Sequence, residues 1–183
     1  MKFNITDKEL TKIMKNLVIL CDTREKDNQA IISYFENKNI KYSCCALAHG
    51  DYSAMLPKGS IDGINRDIYF TNDIVIENKK DIDELCGNLA DKASRLKSEF
   101  AHLNKNNTKY FIFVRDGLYF KHLYNEEYRS KYKTNSLRAR LKSICAEYRT
   151  QIVPIPKEYM AQEIHETIHY EVRNILKREL EVL

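Results

Sequence analysis

Long apolar runs are missing from this chain of 183 residues. The longest near the start, Leu17-Val18-Ile19-Leu20-Cys21, is too short for a signal core or a membrane span, so no membrane partner is expected. A large excess of one charge is missing too: 30 basic against 26 acidic side chains leave a net charge of +4. Attraction to a polyanion must therefore come from uneven distribution along the chain. The five cysteines, at 21, 44, 45, 86 and 145, are odd in number and form no C-x-x-C pair. That argues against a disulfide framework and for the reduced thiols of a soluble, cytoplasmic protein. No repeat, low-complexity tract or interdomain linker breaks the sequence. With 43% hydrophobic residues the chain can build a core, and its length suits one domain over residues 1–183.

What is present is an alternation of periods. Continuous apolar stretches at Leu17–Cys21 and Lys109–Arg115 read as strands buried on both faces. Further strands are expected at Ile40–Leu47, Tyr52–Leu56 and Gln151–Pro154, with Asp67–Phe70 and Ile74–Lys79 as a pair around Thr71-Asn72-Asp73. Thr6 or Asp7 caps a short first helix, and a second follows Asp27-Asn28. Apolar side chains stepping by three and four from Ile82 to Leu103 predict a long amphipathic helix with a break at Gly87. Two more helices are expected around Leu137–Tyr148 and over 157–178, the latter with Ile164, Ile168, Val172 and Ile175 as its packing stripe. The fold class is α/β, a central mixed sheet flanked by helices.

Polar clusters stand where the strands end: Asp22-x-Arg24-Glu25, Gly50-Asp51-Tyr52 and Glu77-x-Lys79, with Asp83 beginning the next helix. Taken singly, each has a bland explanation as a turn, a cap or a surface ion pair. Together they have a chemical one. Hard divalent cations take carboxylate oxygens and keep waters in their remaining positions. Such an ion activates water and offsets phosphate charge in phosphodiester hydrolysis. Residues i and i+2 of a strand share a face, which sets the Lys79 ammonium beside Glu77 to orient or deprotonate the water.

These motifs, in this order, resemble the D-x-R-E, G-D-Y and E-R-K-x-x-x-D signature of structure-specific endonucleases of the xeroderma pigmentosum group F type. That family lies within the PD-(D/E)-x-K, restriction-endonuclease-like superfamily. The resemblance covers about residues 16–115 and leaves a basic helical part over 124–183. It implies a Mg²⁺- or Mn²⁺-dependent endonuclease acting on DNA, branched or flapped DNA included. Asp51 and Glu77 would be the principal metal ligands, Asp22 and Glu25 outer carboxylates, and Lys79 the catalytic lysine. Arg24 would brace the acids or contact phosphate, Asp83 would cap the helix and orient Lys79, and Arg95 would point towards the site.

Three features depart from the family pattern. Asn78 stands where the family has arginine, so that side chain's contact is lost. The 25 residues between Asp51 and Glu77 exceed the family's compact hairpin and imply an inserted β extension. No tandem helix-hairpin-helix module follows in the sequence, so branch recognition would fall to a homodimer or a heteromeric partner.

From Arg129 to Arg149 the chain carries Arg129, Lys131, Lys133, Arg138, Arg140, Lys142 and Arg149 against the single acid Glu147. Tyr128, Tyr132 and Tyr148 are interleaved. This is the candidate DNA-binding element, although a solvated helix face would look the same. Two other readings compete with a nuclease. One is a catalytically silent DNA-binding scaffold. The other is a zinc hydrolase, because His165-Glu166-Thr167-Ile168-His169 matches H-E-x-x-H. The packing stripe on that helix, and the lack of a third ligand at a familiar spacing, favour two surface histidines instead.

Overall fold

The computed structural model describes residues 5–91 and 93–180. Its class is mixed α/β, with a mixed sheet flanked by helices. The chain forms two compact units, one holding the residues up to Ile74 with those from Ala161 onward, the other Val75–Met160.

In the first unit, α1 (Asp7–Met14) begins with a capping box: Thr6 Oγ1 accepts from Glu9 N, and Glu9 Oε2 accepts from Thr6 N. The run after it becomes β1 (Val18–Asp22), buried at every position. After α2 (Gln29–Asn37), β2 (Tyr42–Cys45) lies parallel to β1, and β3 (Tyr52–Leu56) lies antiparallel on its other side. Cys21 pairs with Tyr52, so the end of β1 meets the start of β3. That register brings two of the polar motifs together. Among the described residues all five cysteines are free, and burial pushes the Cys21 thiol up to about 12.

The expected β extension is a hairpin on β3. Gly59, at φ +76°, takes the left-handed conformation that the turn needs. The chain returns as β4 (Ile68–Tyr69), which pairs with β3 through Met55 with Tyr69 and Leu56 with Ile68. Sequence reading paired this segment with 74–79 instead. The correction has a local cause: the carbonyl of the buried Phe70 accepts both Asp73 N and Ile74 N, closing a tight helical turn where a hairpin was expected. In α7 (Met160–Glu179), Ile164, Ile168 and Val172 are fully buried at helical spacing, and Leu176, where Ile175 was expected, completes the stripe.

The second unit begins in β5 (Ile74–Lys79) and contains α3 (Ile82–Asp91), α4 (Ala93–Lys105), β6 (Lys109–Val114), α5 (Tyr119–Tyr124), α6 (Thr134–Tyr148) and β7 (Gln151–Pro154). Its strand order is β5-β6-β7, with β6 and β7 parallel. Leu85, Cys86 and Leu89 of α3 join Phe100, Ile112, Leu123, Leu137 and Leu141 in one core. Gly87 lies inside α3, and the expected break there does not occur. The buried residues on either side of it hold the helix, while Gly87 itself faces open space. Helix α5 was not foreseen. Its six residues carry only two buried side chains, Tyr119 and Leu123, too few for a readable period.

Candidate active site and nucleic-acid surface

The β1–β3 register places Asp22 next to Asp51, whose carbonyl accepts from Asp22 N at 2.8 Å. Gly50, at φ +65°, turns the chain into β3. Asp51 is half-buried at that strand's start, followed by the fully buried Tyr52. Asp22 is itself buried, and its carboxylate is saturated. Oδ1 accepts Arg24 N (2.7 Å) and Arg24 Nε (2.8 Å); Oδ2 accepts Arg24 Nη2 (2.7 Å) and Leu47 N (2.8 Å). Four donors fill the four acceptor positions of a carboxylate. The Arg24 guanidinium, aided by the Arg24 and Leu47 amides, outweighs burial and holds the Asp22 carboxyl down at about 2. Arg24 thus braces one of the acids, and it also donates to Leu47 O at 2.6 Å. A metal ion could reach Asp22 only by displacing one of these donors. The next acid, Glu25, is half-buried and accepts Asp27 N at 2.8 Å through Oε1.

In the second unit the i, i+2 argument holds. Lys79 Nζ donates to Glu77 Oε1, with Lys79 8% exposed and Glu77 partly open to solvent. Between them Asn78 is buried at 3%. A neutral amide is easier to bury there than the family's guanidinium. Sequence reasoning missed Glu84, whose Oε1 stands 3.5 Å from Lys79 Nζ and whose Oε2 accepts Lys80 N at 2.8 Å. The readable signal was Asp81-x-x-Glu84, a capping pattern: Glu84 N donates to Asp81 Oδ1 at 2.9 Å. Asp81 therefore does the capping that was expected of Asp83. Asp83 accepts Arg129 N (2.6 Å) and Arg129 Nε (2.9 Å), and the first of these bonds leads in holding its carboxyl below the usual range. The side chain of Arg95 lies outside the described residues.

The Asp83–Arg129 pair anchors the start of the basic segment to the first turn of α3. Between these elements lies a cavity of about 830 Å³, walled by Lys80, Asp83, Glu84, Arg129, Lys131 and Tyr132. Lys133 sits at the N-cap of α6, Arg138 and Arg140 are half-buried on that helix, and Lys142 is exposed. The Arg138 guanidinium lies 4.2 Å from the centre of the Tyr124 ring.

His165 and His169, with ring centres 5.8 Å apart, are half-buried and not the surface residues expected. Burial lowers the pKa of both. They line a cavity of about 280 Å³ with Lys15, Lys41 and Arg173, a cationic wall unsuited to zinc. Among the described residues, no three His, Cys, Asp or Glu side chains are grouped to hold a metal ion. Mg²⁺ commonly needs only one or two protein carboxylates, with water and substrate phosphate supplying the rest. Asp51 and Glu77 each carry the carboxylate oxygens that such an ion takes, whereas the histidines offer nitrogen.

The motifs D-x-R-E, G-D-Y and E-x-K stand at or beside strand ends of a mixed sheet. The family model of the ERCC4 domain matches residues 21–168, and the chain belongs to that family, with the fold of the XPF nucleases. It is similar to XPF from Aeropyrum pernix in complex with DNA, at 16% identity and a TM-score of 0.57 over 86% of this chain and 66% of that one. A second structure, XPF from Aeropyrum pernix, gives 18% identity and a TM-score of 0.58 over 84% and 60%. The chain thus spans less than two thirds of either protein. None of the curated proteins matches it. Among the described residues no helix is long and apolar enough to cross a membrane.

Proposed function

We propose that this chain is a divalent-metal-dependent endonuclease that hydrolyses phosphodiester bonds in DNA, branched or flapped DNA included. The observation that carries the reading is Lys79 held against Glu77 on one strand face, in a chain of the ERCC4 domain family. Asp51 and Glu77 would hold Mg²⁺ or Mn²⁺, with Glu25 as an outer carboxylate. When bound, the ion supplies positive charge that acidifies water and offsets charge on the phosphate. Asp22 acts through Arg24 and Leu47 to keep the β1–β3 corner in place. Lys79 steers the attacking water and stabilises charge developing on the phosphate oxygens. Glu84 keeps that ammonium pointed along the strand face. Lys80, Arg129 and Lys131, on the cavity beside Glu84, guide the phosphate backbone. A second copy or a heteromeric partner would select among DNA branches.

The direct test is purified protein incubated with linear, nicked, flapped, forked and four-way DNA, with Mg²⁺, Mn²⁺ or chelator. Metal-dependent strand cleavage is expected. Tight binding with no cleavage on any substrate would leave a DNA-binding scaffold.

The basic segment gives a separate prediction. Replacing Arg138, Arg140 and Lys142 together with glutamine should weaken duplex binding regardless of sequence. The log–log salt slope should flatten by about 2–3, because each phosphate contact contributes about 0.9. An unchanged slope would return this segment to a solvated helix face.

A further inference from the structure

Exposed large apolar side chains are unevenly spread. Of the six among the described residues, three fall within seven positions: Leu118 (55% exposed), Phe120 (62%) and Tyr124 (54%). Scattered exposed apolar residues are ordinary, but a group of them marks a contact surface. Helix α5 already buries Tyr119 and Leu123, and its outward side carries Phe120 and Tyr124 together with the exposed Lys121. Phe120 and Tyr124 lie one helical turn apart and so share a face. The buried Tyr119 ring meets Phe120 edge-on at 5.2 Å, and Arg138 lies over Tyr124 at 4.2 Å. Both rings are therefore braced from within the protein and open to solvent. Lys142 follows Arg138 by one turn of α6 and is exposed.

We propose that Phe120 and Tyr124 form a stacking platform for unpaired DNA bases, with Arg138 and Lys142 taking the flanking phosphates. The proposal rests on the nuclease reading above and adds to it a preference for DNA form. Charge selects the occupant. An apolar protein face docked here would have to bury these cations, whereas nucleic acid brings the opposite charge and a π-face on every base. Bases inside a duplex have both faces covered by their neighbours, so only unpaired or terminal bases can use the rings. A flap or fork offers such bases, and this surface would hold them.

The test measures binding of labelled oligothymidylate and of a duplex of equal length, by fluorescence anisotropy at one salt concentration. Phe120→Ala and Tyr124→Ala should each weaken single-strand binding about tenfold. Duplex affinity should stay within about twofold, which also reports that the fold and the phosphate contacts survive. Phe120→Leu keeps apolar bulk but no ring, and should be as defective as alanine. Equal losses on both DNAs, no loss on either, or full rescue by leucine would overturn the platform. So would loss of self-association in Phe120→Ala with single-strand binding unchanged, which would make the face a protein contact. If the wild type bound neither DNA, the nuclease reading would fall along with the platform. A wild type that binds both DNAs, beside variants with no single-strand defect, would sink the platform alone.

Discussion

Lys79→Ala is expected to cut DNA cleavage by about 10²–10⁴-fold while leaving the fold and most DNA affinity intact. Lys79 is nearly buried, yet its ammonium is directed at Glu77, which remains partly open to water. Removing the ammonium therefore leaves a carboxylate that solvent can reach, so the structural penalty is small. Affinity comes from distributed phosphate contacts that do not include this residue, so binding should change by less than about twofold. The loss falls on the transition state, where charge on the phosphate grows. Asp51→Asn offers the contrast. It should also stop cleavage, through weakened metal affinity, and high Mn²⁺ should partly restore it. That rescue should not extend to Lys79→Ala. The measurements are single-turnover cleavage, anisotropy binding and thermal melting on the same preparations. A Lys79→Ala protein that melts normally and still cleaves at the wild-type rate would falsify the proposed role.

The second large effect is structural. Asp22→Ala should destabilise the first unit by about 3 kcal/mol, because it strands donors that now converge on one buried carboxylate. Arg24 is 63% exposed and recovers solvation, but the Leu47 amide meets Asp22 in the interior. Asp22→Asn should cost less at neutral pH, since one side-chain oxygen remains as an acceptor. Acidity separates the charge from the shape. The Asp22 carboxyl sits at about 2 in the fold, against an ordinary value of 3.8. A depressed folded value stabilises the protein above the unfolded value and is lost as pH falls through the folded one. The wild type should therefore lose about 2 kcal/mol from this group between roughly pH 5 and pH 2, and Asp22→Asn should lack that component. Urea midpoints across this range measure it. Parallel pH profiles for the two proteins would show that Asp22 carries no special charge interaction.

Local chemistry alone determined much of this protein. The apolar run at 17–21 needed no partner to be read as a buried strand, and β1 forms at Val18–Asp22. The strand at Tyr52–Leu56 was legible too, and the apolar run from Lys109 was read one residue too long, to Arg115 where the strand ends at Val114. The Thr6 cap and the pairing of Glu77 with Lys79 also follow from spacing within one element. Other features depended on residues far apart in the chain. Asp22 is saturated partly by the amide of Leu47, twenty-five positions on, and Asp83 is claimed by Arg129, forty-six positions on. β4 pairs with β3 and not with β5, and α5 exists because two of its side chains find a core built by other elements. A sequence pattern records which faces are buried. The partner that a polar side chain meets is set by how the loops close, and that belongs to the tertiary structure.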